Sequence, residues 1–314
     1  MERPPAYTEL GRHIWDLFNL GCDPGFIRLD WKSKTCDGVE FGYCGKFGLE
    51  SGRFAGNVSV GRPFSSRDLD VTSRWASDGT LGGRVDFYRL VRGVDLTFDA
   101  AFSPSTGNKL ALARASLTRA ALRVEAEANF EEVGTTATLS TVFRSGHWLM
   151  GAWTQLGGPN GVDTQWSGSA GYELGKRQLM VTIEGGRFLN LLMSQPFGPL
   201  DVAFSMAKPL PGVSDRVAHL ADTVRKPWML EPKRSQMRST LGSDRCSLMM
   251  ALAAKFQWGA HSTVTATVTF DGFLGLAFSH VLSPGIKLAL CNSLNLNTLN
   301  SGGHAVGIGL EFES

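Results

Sequence analysis

The amino-acid sequence predicts an all-β fold, a transmembrane β-barrel preceded by one amphipathic helix. Three observations carry this. Apolar and polar residues alternate along much of the chain, turn residues punctuate that alternation, and the strands are too many for one open sheet. Ile27, Leu29 and Trp31 alternate with Arg28, Asp30 and Lys32. Val94, Leu96, Phe98, Ala100 and Phe102 alternate with Asp95, Thr97, Asp99 and Ala101. Segments 122–130, 263–270 and 305–312 repeat the pattern. A period of two marks strands whose faces meet different surroundings.

The turns lie at Asp37-Gly38, Ser77-Asp78-Gly79, Ser105-Thr106-Gly107, residues 157–161 and Ser283-Pro284-Gly285. Each suits a hairpin that needs a positive φ or a proline-set bend. The spacing of roughly 12–15 residues is what a ~10-residue spanning strand plus a turn requires. Alternation alone leaves a soluble sandwich open. Against it stands size, because open twisted sheets rarely exceed about ten strands and closure removes their edges. A barrel of many more than eight strands has a lumen too wide for side chains to fill. Its inward residues are then polar, and its apolar residues face lipid.

Composition narrows the classes. The chain has 314 residues, 37 glycines, 19% charged residues and a net charge of +2. That balance gives no reason to expect nucleic acid as a partner. No run of apolar residues approaches the length of a spanning helix. Five scattered cysteines (Cys22, Cys36, Cys44, Cys246, Cys291) without a CxxC pair predict free thiols rather than a disulfide framework or zinc site. The six histidines show no metal spacing and no paired nucleophile. We therefore expect no enzyme and no cofactor. The first residues lack the features of a secretory or transit peptide.

Residues 7–20 read as a helix, with Leu10, Ile14, Leu17 and Phe18 on one face and Arg12, His13 and Asp16 on the other. Such a helix packs on a core, lies on a membrane, or sits in a lumen. Residues 1–25 form this helix and its hinge, and 26–314 the barrel. Residues 208–245 interrupt the barrel with four prolines and twice as many bases as acids. They read as a long basic loop outside the bilayer, either a plain solvated insertion or a contact surface.

Three collinear stretches resemble one family. They are 4–11 (Pro4-Pro5-Ala6-Tyr7-Thr8-Glu9-Leu10-Gly11), 96–107 (from Leu96-Thr97-Phe98-Asp99 to Ser105-Thr106-Gly107), and the end of the chain. There Ser283-Pro284-Gly285-Ile286-Lys287-Leu288 is followed by Ser301-Gly302-Gly303-His304 and Gly307-Ile308-Gly309-Leu310-Glu311-Phe312. In these the chain is similar to the eukaryotic mitochondrial porins, the voltage-dependent anion channels. The resemblance implies a multi-pass barrel in the mitochondrial outer membrane with its helix in the pore. The count of about nineteen strands belongs to that family and not to the periodicity. An odd count implies that strands near 26–33 and 306–312 close the barrel in parallel. The resemblance also implies passage of ions and small metabolites such as nucleotides and organic anions, gating by voltage, and cytosolic or mitochondrial protein partners.

Departures from the family pattern bear on selectivity. The resemblance assigns the pore helix and selectivity to Leu10, Arg12, Trp15, Asp16, Leu20, Arg28 and Lys32. Of the family's helix bases, the first is kept as Arg12, while Trp15 and Leu20 replace two others. Asp95 and Ala305 stand where the family has lysine. Together these imply reduced anion selectivity, unless bases such as Arg28 and Lys32 restore the balance. Ser73 stands where many relatives carry a lipid-facing glutamate. Family contacts to NAD or ATP would fall on Arg12, Phe273, Leu274 and Gly275, and on Cys291, Asn292, Ser293, Leu294 and Asn295, though those positions equally suit plain barrel wall. Rival readings are a protein-import barrel of the same organelle and a poorly conducting docking platform on the same scaffold.

Overall fold

The computed structural model describes residues 3–64, 68–91, 93–131, 134–157, 164–210, 249–299 and 302–314. Nineteen strands follow one another around a single closed sheet. They are β1 (Phe26–Lys34), β2 (Glu40–Gly48), β3 (Phe54–Phe64), β4 (Leu69–Ala76), β5 (Leu81–Val91), β6 (Val94–Phe102), β7 (Lys109–Thr118), β8 (Leu122–Glu131), β9 (Gly134–Ser145) and β10 (Trp148–Leu156). The second half has β11 (Thr164–Leu174), β12 (Arg177–Glu184), β13 (Phe188–Phe197), β14 (Leu200–Pro209), β15 (Met249–Trp258), β16 (Ser262–Thr269), β17 (Phe273–Ser283), β18 (Ile286–Asn295) and β19 (Ala305–Glu313).

Every neighbouring pair is antiparallel except one. β1 pairs with β19 in parallel, Ile27 opposite Ile308 and Trp31 opposite Phe312, and this pair closes the ring. Closure leaves no edge with unpaired backbone groups, which a bilayer requires. At about 3.3 Å per residue, strands of this length cross a ~30 Å hydrocarbon core. Tight turns depend on glycine. Gly285 has φ +86°, and an added Cβ would lie 2.1 Å from the Glu313 carbonyl oxygen.

Register sorts the residues onto two faces. One carries large apolar side chains exposed around the whole circumference, including Trp31, Phe98, Phe143, Met193, Leu252, Phe278 and Val306. Such a continuous surface cannot rest in water. Tryptophans stand on it toward both ends, Trp148 and Trp258 at one and Trp75 and Trp166 at the other, as an aromatic belt at each interface demands. The barrel therefore spans a membrane with this face against lipid.

The other face is mostly polar or small, with larger apolar residues such as Leu149, Met180 and Leu192 where the N-terminal segment lies on it. Its side chains touch strands from β8, where Glu9 meets Arg123, round through the wall to β2, where Asp23 meets Lys46. One short segment reaches so much of a closed ring only from the concave side. It occupies the lumen.

The expected single helix over 7–20 is instead divided. A 3-10 turn spans Tyr7–Glu9, Gly11 takes φ 70°, and α1 covers Arg12–Phe18. The break lets each piece follow a different part of the curved wall. Tyr7 donates to or accepts from Ser169 at 3.1 Å, while α1 lies across β13 to β16. Asn19 is already extended. The cysteine expectation is also corrected, because Cys22 and Cys291 are joined as a disulfide with Cα atoms 6.0 Å apart. Cys36 and Cys44 are free thiols. Of the expected 208–245 loop, Lys208 and Pro209 belong to β14, and 211–245 lie outside the described residues.

Candidate functional site: the lumen and its N-terminal segment

The lumen has two unlike walls. Beneath α1 the inward positions are small or neutral: Ser194, Ala203, Ser205, Ala251, Ala253, Thr265, Thr267, Gly275, Ala277 and Ala289. Small residues let a helix approach closely. Leu10, Ile14 and Leu17 pack there with Val142, Leu149, Met180 and Leu192 in one buried cluster. Ile14 is 0% exposed. Burying such a side chain contributes about 1.5–3 kcal/mol.

Opposite, the inward faces of β4 to β9 carry paired charges. Arg84 donates to both oxygens of Asp86 at 2.7 and 2.9 Å, and Thr97 donates to the same carboxylate at 2.6 Å. Arg123 meets Glu125 at 2.7 Å, and Arg144 meets Glu173 on β11 at 3.4 Å. Arg74 pairs with Asp99 and Arg114 with Glu127. Asp70, Asp95 and Glu131 share this face, so among the described residues carboxylates outnumber bases on the wall from β4 to β9. Pairing neutralises most of the arginines and leaves a negative excess.

The hinge docks on the closing seam. Gly25 donates its N–H to the Val306 carbonyl at 3.0 Å, and the buried Asp23 carboxylate accepts from Lys46 at 2.6 Å. A Cβ on Gly307 would lie 2.2 Å from the Asp23 carbonyl oxygen, so only glycine admits the hinge there. With the disulfide to β18, residues 22–25 tie β18, β19 and β2 together around β1.

The residues assigned from sequence separate in space. Arg12 and Asp16 project from α1 into open lumen, with the Arg12 side chain 72% exposed. Trp15 is half-buried against Phe18. Leu10 faces the wall, and Leu20 packs over Gly275. Arg28 and Lys32 face the lumen, Arg28 paired with Asp30. Among the nucleotide positions, Phe273, Gly275, Cys291, Ser293 and Asn295 share the lumen face, whereas Leu274, Asn292 and Leu294 lie on the lipid face. Ser73 is also on the lipid face, in register with Val60 and Gly83. Sequence reasoning missed Asp23 and Lys46. Their only signal was a polar residue between Cys22 and Pro24.

A closed barrel, a lipid-facing apolar girdle, a polar lumen and a terminal segment lying inside it define a pore-type membrane barrel. A profile of the eukaryotic porin family matches residues 3–191, more than half of the chain. The chain belongs to the eukaryotic porin family. It is similar along its whole length to the non-selective voltage-gated ion channel VDAC2 of several vertebrates. The turkey (Meleagris gallopavo) protein is 28% identical over 100% of this chain and 96% of its own. That of Xenopus laevis is 27% identical over 99% of each chain. The human (Homo sapiens) protein is 28% identical over 99% of this chain and 95% of its own. The family consists of channels, and this chain is not an enzyme.

Proposed function

We propose that the protein is a voltage-gated channel of the mitochondrial outer membrane that passes ions and small metabolites with little preference for anions. The observation that carries this reading is the acid-rich wall of β4 to β9, facing strands β13 to β17 whose inward charges, Asp201 and Lys255, balance. Permeant ions respond to such wall charge. The similarity to channels described as non-selective and voltage-gated supports the same reading. Arg12 is an exposed base of the pore segment, and nucleotides crossing the lumen pass it and the inward Phe273, Ser293 and Asn295. Contact with NAD or ATP is accordingly transient and part of permeation.

Recording of single channels in a planar bilayer under a KCl gradient tests this. The expected result is large steps with a reversal potential close to zero or on the cation side. A strongly anionic reversal potential overturns the selectivity reading. A folded barrel without conductance overturns the channel itself and turns the scaffold into a docking platform.

A further inference from the structure

A basic hollow opens at the mouth where β5 and β7 end and β6 and β8 begin. Its volume is about 860 Å³, within the range of small-molecule sites. Arg3, Arg89, Arg119 and Arg123 line it. Arg123 is already held by Glu125 and, at 3.9 Å, by Glu9. No ion pair engages Arg3, Arg89 or Arg119 among the described residues. The two acids that also line the hollow are Asp68 and Asp95. Asp95 accepts the Arg89 backbone N–H at 2.9 Å, and four arginines against two acids leave the hollow with a net positive charge.

The backbone here is shaped unlike the rest of the wall. Asp68 and Arg89, with φ 47° and 55°, are the non-glycine residues of positive φ among the described residues, and both line this hollow. Their strands are tied by the Tyr88 N–H to the Asp68 carbonyl at 2.7 Å. The β5–β6 register slips between Phe87 and Val91. Phe87 faces lipid, so unbroken alternation would put Arg89 on the lipid side as well. The bulge turns it toward the mouth instead. Bulges re-aim side chains, and left-handed non-glycine backbone gathers at ligand sites.

We propose that this mouth hollow binds a soluble anion carrying two or more adjoining phosphate groups. Three guanidiniums without carboxylate partners suit phosphate oxygens, which they grip bidentately. Asp95, Thr118 and Arg123 belong to the lumen face, so the ligand comes from solution and not from the bilayer. The site gives an acid-walled pore a place at one mouth where a polyanion is retained.

Isothermal titration of the refolded barrel in a zwitterionic detergent, with inorganic tripolyphosphate as probe, tests the proposal. Binding to the wild type is expected, and weakening by about tenfold or more in the Arg89→Gln/Arg119→Gln variant, because charge-assisted bonds to phosphate are lost. Lys109→Gln, at the opposite end of β7, should bind as the wild type does. Arg119→Gln alone, which leaves the bulge untouched, keeps the test valid if the double variant misfolds. Absence of binding, equal loss in Lys109→Gln, or a response confined to nanodiscs containing phosphatidylglycerol each overturns it. Conductance plays no part in the readout, so such a failure leaves the channel reading standing.

Discussion

The wall under α1 and the wall facing it are built from the same kind of strand and do opposite things. From β13 to β17 the inward residues are mostly small and neutral, with one acid and one base in Asp201 and Lys255, and they hold a helix by burial. From β4 to β9 many are charged and pair chiefly with one another. The N-terminal segment touches this wall only at its margin, through Glu9 on Arg123 and the packing on Val142. Apolar contact fixes an element in place, whereas paired charges exposed to a water-filled lumen contribute little stability and set the field instead. One side of the pore is thus structural and the other electrostatic.

Substitutions that breach the first wall should have the largest effects. Ile14→Ala removes the centre of the helix contact and should cost about 2–5 kcal/mol of docking. Faster trypsin cleavage after Arg12 in the folded barrel reads this, and an unchanged rate would mean that another contact holds the helix. Gly307→Ala should cost about 1–3 kcal/mol, because the new methyl meets the hinge backbone. Gly83→Ala, open to lipid with no atom within 4 Å, should leave the thermal midpoint where it was.

The second wall sharpens the contrast through smaller effects. Asp99→Asn with Glu127→Gln should move the reversal potential toward anions while leaving trypsin cleavage unchanged. Arg114→Gln should change stability by only about 0.2–1 kcal/mol in thermal unfolding, despite breaking an ion pair. A larger loss would show that this wall is structural too.

Much of this is legible in the sequence. Strand parity follows from alternation, and Leu10, Ile14 and Leu17 announce the buried helix face. The break at Gly11 was not legible, since a glycine inside a helical pattern is tolerated and its φ is decided by the wall beneath. Nor was the Cys22–Cys291 bridge, which joins residues 269 apart in sequence and exists only because the hinge crosses β19. The mouth hollow escaped notice for a related reason. Its arginines lie far apart along the chain, and a register slip at Phe87–Val91 reverses the direction that parity assigns to Arg89. Polar residues on the lipid face, such as Gln195 and Asn292, break the alternation locally and blur the pattern further.

The parallel seam between β1 and β19 sets a rule for biogenesis. The first strand made finds its second partner only in the last, so the ring stays open until residues 305–313 have left the ribosome. Closure therefore waits for the whole barrel to be synthesised, and a chain shortened by its final strand would present two raw edges, on β1 and β18.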